Sequence, residues 1–219
     1  MGHPDFFKRS LQGLAFFSAL FASAQAVAHP HVWVTVRSQM QFTTDGKVSG
    51  LVQDWTFDEM YSSFAVMGLA KNGGLVTKEE FLPMATENTG SLAQVGFYTV
   101  LKFNGKQADF ANVTDYWMEE QADKRVSFHV FLPMKTPTAP GKLVTLQVAD
   151  PEFFIDFEFD DHDGLNLTNA PAGCSKSLNK PKPLEGDDKA KLTESFFSGL
   201  PIGANFGFKM AMHAIIACP

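Results

Sequence analysis

Residues 31–42, HVWVTVRSQMQF, alternate apolar and polar side chains, and this pattern limits the fold more than any other stretch. Val32, Val34, Val36, Met40 and Phe42 face one way. His31, Thr35, Arg37, Gln39 and Gln41 face the other, with Trp33 beside His31 on the polar side. A period of two belongs to a half-buried strand. Thr44-Asp45-Gly46 follows as a turn and residues 48–57 as a second strand, which makes a hairpin.

The rest of the chain extends this framework. Residues 58–69 read as a short helix with Asp58 placed to cap it. Thr77-Lys78-Glu79-Glu80 is a capping box before a second helix, which Pro83 is expected to kink or end early. Residues 97–103 form a strand, followed by the hairpin turn Asn104-Gly105. In residues 125–132, Val126, Phe128, Val130 and Leu132 share one face, and Ser127, His129 and Phe131 take the other. Residues 143–149 and 152–159 are strands around the Asp150-Pro151 turn. Residues 170–188 are rich in Pro, Lys, Ser and Gly and read as a loop; 189–200 suggest a helix and 206–218 a final strand. The sum is α+β: a mostly antiparallel β framework with about three short helices.

Ahead of the first strand, residues 1–28 read as a secretory signal peptide. Lys8 and Arg9 supply the positive start. Residues 14–22, LAFFSALFA, are apolar but shorter than the roughly 20 residues needed to span a bilayer. Ala26-Val27-Ala28 is a small-x-small cleavage site, and Ala24-Gln25-Ala26 satisfies the same rule. No later stretch is apolar enough to span a membrane. Cleavage after Ala28 takes 28 residues from 219 and leaves 191. It removes Lys8, Arg9 and Asp5, so the net charge moves from −6 to −7. Such a charge argues against a nucleic-acid binder. Export out of the cytoplasm is the expected fate. Residues 29–169 are expected to form the domain core. Residues 170–219 would add a loop, a helix and a strand, tied back by a Cys174–Cys218 disulfide. A Cys–Cys metal site is the rival for this pair, and oxidation favours the disulfide in an exported chain.

Cleavage after Ala28 would begin the finished protein with His29-Pro30-His31, placing an α-amino group and two imidazoles within three residues. Imidazole suits zinc, copper and nickel. Pro30 stiffens the pair and lacks the N–H that a square-planar amino-terminal copper or nickel site would deprotonate. The imidazoles would then act through their side chains in a site completed from elsewhere. Cleavage after Ala26 would instead leave Val27-Ala28-His29, which does suit square-planar copper or nickel. His129, on the polar face of its strand, is a candidate third ligand that a sheet could bring near His31. Asp161, His162 and Asp163 in FDDHDG offer a possible secondary metal site, although the loop lacks the oxygen spacing of a calcium loop. Their plainer role is a solvated acidic turn. Asp54, Asp58 and Glu59 are further carboxylates, with Asp58 read first as a cap. Met210, Met212 and His213 could form a soft copper site or pack as a strand. No nucleophile elbow, Gly-rich phosphate loop or HExxH motif occurs, so the chain is not read as an enzyme.

The motifs AHPHVWV after a signal peptide, DWTFDEMYS, LVTKEEF, DPEFFIDFEF, a late Cys and a terminal NFGFKM…ACP together resemble the ZevA-type periplasmic proteins, a family of unknown function. Relatives often carry an acidic, calcium-loop-like insert before the LTxxE helix. This chain departs from them, having no carboxylate among residues 70–74. The resemblance implies a periplasmic, zinc-handling accessory of an inner-membrane metal transporter, of the NicO nickel/cobalt type. Carried over by motif, it points to His29 and His31, and to His129 on the FHV strand. The expectation is therefore binding of a divalent transition metal, zinc first, with nickel, cobalt or copper as alternatives. The rival functions are a secreted copper redox enzyme with amino-terminal histidine ligation and a metal-free interaction module of a membrane complex.

Overall fold

The computed structural model describes residues 30–69, 73–182, 192–201 and 203–219. His29 and the expected signal peptide lie outside the described residues. The fold is α+β, with mostly antiparallel strands in two sheets, four α-helices among the described residues and one disulfide, Cys174–Cys218.

The alternating opening becomes β1 (Val32–Phe42) and β2 (Val48–Phe57), an antiparallel hairpin in which Val36 pairs with Trp55 and Arg37 with Asp54. Gly46 supplies the positive φ, +77°, that closes its turn. β2 pairs on its other side with β6 (Val126–Thr138), which pairs with β5 (Tyr116–Glu120). β1 carries β8 (Ile155–Phe159) and β9 (Leu165–Thr168) in succession along its free edge, both parallel to it. The second sheet runs β10-β11-β7-β3-β4, from β3 (Thr99–Phe103), β4 (Lys106–Gln107), β7 (Val144–Val148), β10 (Ser175–Asn179) and β11 (His213–Ala217).

The inner faces of both sheets meet in one hydrophobic cluster. Val34, Val36, Met40, Leu51, Trp55, Phe128 and Leu132 come from the first sheet; Leu101, Val144, Leu146, Ala214 and Ile216 come from the second. Burying this surface is the main favourable contribution to folding. The Trp55 ring contacts Phe128 and Phe157, with centroids 5.9 and 5.0 Å away.

Helix α1 (Glu59–Ala65) begins where expected, because the Asp58 carboxylate accepts the Tyr61 N–H. α2 (Lys78–Gln94) carries the full capping box between Thr77 and Glu80. It corrects the expectation for Pro83: the helix runs past the proline to Gln94. Pro83 forfeits one hydrogen bond, to the Glu79 carbonyl, while the capping box and buried Phe81, Ala85 and Thr89 hold the rest.

The last third differs most from the expectation. The stretch read as a loop contains β10, whose polar sequence SKSLN has no apolar rhythm but pairs antiparallel with β11. Within the stretch read as a helix, α3 (Glu194–Ser198) is short and capped by Thr193. The expected final strand is divided: α4 (Phe206–Met210) precedes β11. Aromatic packing explains the division. Phe206 meets Phe153, Phe196 and Phe197 at centroid distances of 5.5–5.7 Å, and Gly207 lies against the Asp150 carbonyl.

Candidate metal centre at the start of the first strand

His31 lies immediately before β1, with an exposed side chain in a defined position. Its backbone N–H donates to the Phe154 carbonyl at 2.9 Å. Its ring stacks on the Phe154 ring, with centroids 4.5 Å apart and an 18° interplanar angle. Phe154 is itself held by buried Asp150, whose carboxylate accepts the N–H groups of Glu152, Phe154 and Ile155. The Asp-Pro turn therefore fixes the platform under the imidazole.

The parallel register pairs Val32 with Ile155 and Trp33 with Asp156. Val32 and Ile155 turn inward, which leaves His31, Trp33, Phe154 and Asp156 on the outer side. Asp156 is half-buried. Burial, helped by the charge of Glu158, pushes its carboxyl above the ordinary carboxylate range. Among the described residues no hydrogen bond or ion pair meets that carboxylate. The nearby cation is engaged elsewhere: Lys180 Nζ lies 3.2 Å from Glu158 and 2.8 Å from Asp161. Asp156, Glu158, Lys180, Phe153, Met210 and Met212 help to line a pocket of about 330 Å³.

His129 belongs to a different place. Its row across the sheet is Arg37, Asp54, His129 and Trp117. His31 lies six residues before Arg37, about 20 Å along the strand. The register therefore does not bring His31 and His129 to one ion. His129 Nδ1–H donates to Asp54 Oδ1 at 2.5 Å. Its ring stacks on Trp117 at 4.7 Å, and Nε2 is buried without a hydrogen bond, 3.4 Å from Glu119 Oε1. Glu119 also faces Lys78 Nζ at 3.6 Å. Of the three carboxylates singled out in QDWTFDE, Asp54 meets this imidazole, whereas Asp58 caps α1 and accepts the Trp33 N–H.

The FDDHDG segment forms a closed turn. Asp160 Oδ1 accepts the N–H groups of His162 and Asp163, and Asp160 Oδ2 meets the Arg37 guanidinium at 2.7 Å. The N–H donors of Asp163 and His162, together with Arg37, hold the Asp160 carboxyl below its ordinary range. Asp161 pairs with Lys180, while His162 and Asp163 are exposed. Met212 is buried, and exposed His213 lies 3.0 Å from Gln147 Nε2. Among the described residues, no three His, Cys, Asp or Glu side chains are grouped so as to hold a metal ion.

Sequence reasoning missed Asp156 and Glu119. Asp156 sits at a polar position of the alternating IDFEF, but its nearness to His31 is set by a parallel pairing between distant parts of the sequence, Val32 with Ile155.

No helix among the described residues is long and apolar enough to cross a membrane. The disulfide fits an extracellular or periplasmic setting. No curated protein matches the chain in sequence. Among solved structures, the chain is similar to the AChBP from Bulinus truncatus, with 11% identity over 86% of each chain and a TM-score of 0.36, too low to carry a functional argument. The family described as "Protein of unknown function (DUF1007)" matches residues 14–218, and the chain belongs to that family.

Proposed function

We propose that this protein binds a divalent transition metal in the periplasm, zinc before nickel, cobalt or copper, and serves an inner-membrane metal transporter of the NicO type. His29 and His31 are the primary ligands. The observation that carries the reading is the seating of His31: a backbone hydrogen bond and a stacked ring hold this imidazole beside Phe154 at the head of β1. An imidazole fixed before binding loses less conformational freedom when an ion arrives. The ZevA-type resemblance, the small-residue cleavage site and the disulfide support the compartment and the partner. The reading is of a binding protein, with the metal as cargo.

The test uses exported protein whose first residue has been established by intact mass. Zinc titration should show at least a tenfold loss of affinity when His29 and His31 are both changed to Ala. Unchanged affinity would refute the site.

A second reading, a metal-free interaction module, is favoured by α1. This helix turns Ser62 and Ala65 inward and leaves Met60 and Phe64 outward, at 57% and 66% exposure, and Met67 in the turn that follows is 67% exposed. Large exposed apolar side chains at helical spacing suit a partner surface. Equilibrium dialysis against zinc, nickel and copper separates the readings, since the module would retain none of them.

A further inference from the structure

We infer that Asp156 supplies a carboxylate oxygen to the ion held by His31. The inference rests on the proposed metal binding at the chain start and adds a ligand from the far part of the sequence.

Three observations carry it. The first is placement. In the parallel β1–β8 register, Asp156 pairs with Trp33, two residues along from His31 and on the same face. One strand spacing across and two residues along put the His31 and Asp156 Cα atoms about 8 Å apart. An ion about 2 Å from an imidazole nitrogen and about 2 Å from a carboxylate oxygen bridges that interval.

The second is selectivity among the carboxylates. Glu158 is paired with Lys180, and Asp161 shares the same ammonium. Asp150 is spent on three backbone N–H groups. Asp156 is left as the half-buried carboxylate of this edge that no described cation or donor meets. A buried charge is costly unless it is paired or coordinates a metal.

The third is rigidity. Asp150 fixes the backbone at Phe154 and Ile155, the residues immediately before Asp156, so one turn positions both the platform under His31 and the carboxylate. Imidazole and carboxylate together form a ligand set that zinc accepts.

The experiment compares zinc affinity in four exported proteins: the unchanged sequence, Asp156→Asn, Glu158→Gln and the His29→Ala/His31→Ala double variant. Cobalt(II) serves as a spectroscopic probe of the coordination sphere. Asp156→Asn should lower zinc affinity tenfold or more and change the cobalt absorption, while Glu158→Gln should alter affinity less than twofold. Thermal melts without metal check that Asp156→Asn folds. If Asp156→Asn binds within twofold of the unchanged protein while the histidine variant is weakened, the inference fails and the metal reading stands. If the histidine variant also binds unchanged, the metal reading fails and takes the inference with it.

Discussion

Asp54 and His129 face each other across β2 and β6, and the Asp54 carboxylate accepts a hydrogen bond from His129 Nδ1 at 2.5 Å. The pair fixes the imidazole plane against Trp117. Asp54→Ala would leave Nδ1 without its acceptor, at an expected cost of about 1–2 kcal/mol. A drop in the urea midpoint at unchanged slope would show it. Zinc affinity should stay within twofold, because about 20 Å of strand separates this row from His31. A tenfold loss of zinc binding in His129→Ala would contradict the separation of the two places.

Helix α1 turns small Ser62 and Ala65 inward and presents the large Met60 and Phe64 to its outer side, so the smaller residue should be the more sensitive to substitution. Phe64→Ser removes an exposed ring and is expected to shift stability by no more than about 0.5 kcal/mol. Ala65→Leu adds bulk to a buried position and should cost about 1–3 kcal/mol. Thermal melts of the two variants should rank them in that order.

Gly207 marks a close approach. A Cβ there would overlap the Asp150 carbonyl oxygen, part of the backbone of the turn beneath Phe154. Gly207→Ala is expected to destabilise by about 2 kcal/mol or more, since backbone must move to admit the methyl group. An unchanged melting temperature would show that α4 does not press on this turn.

The hairpin at the head of the fold was legible because its cause is local: alternation, a turn and a matching strand lie within 27 residues, 31 to 57. The two helix caps, Asp58 and Thr77, were legible for the same reason. β10 was hidden because an edge strand of Ser, Lys and Asn buries little and shows no apolar rhythm. α4 was hidden because its helix depends on Phe206 meeting rings from α3 and the Asp150 turn. At the candidate site, His31 announced itself through the HPH motif. Asp156 did not, because only the parallel register makes it a neighbour.

Two carboxylates on the outer rim should respond to pH with opposite signs. Asp160 is held below its ordinary range, first by the N–H of Asp163, so it stabilises the fold above the unfolded value of about 3.9 and loses that contribution as pH falls through its folded pKa. Asp160→Asn should therefore melt lower than the unchanged protein at pH 7, with the gap closing toward pH 2. Asp156 is raised by burial, so its ionised form disfavours the fold. Asp156→Asn should melt higher at pH 7 without metal, and that gain should vanish below the unfolded value. Melts across this range, in chelator, test both signs.

The Cys174–Cys218 bond joins residues 44 apart and ties the start of β10 to the end of β11. On the chain-entropy model a loop of that size contributes about 4 kcal/mol. Reduction should lower the urea midpoint accordingly. No change on reduction would mean that the β10–β11 ladder holds the edge unaided.

β1 is flanked by its immediate successor on one side and, on the other, by partners as far along as Ile155 and Leu165. A chain emerging from its amino end can zip the hairpin at once, but one flank of the leading strand stays bare until the later strands arrive. Pairings over such spans slow folding. The β1–β8 edge consequently closes after the hairpin, and the Phe154 ring that seats His31 arrives only with that closure.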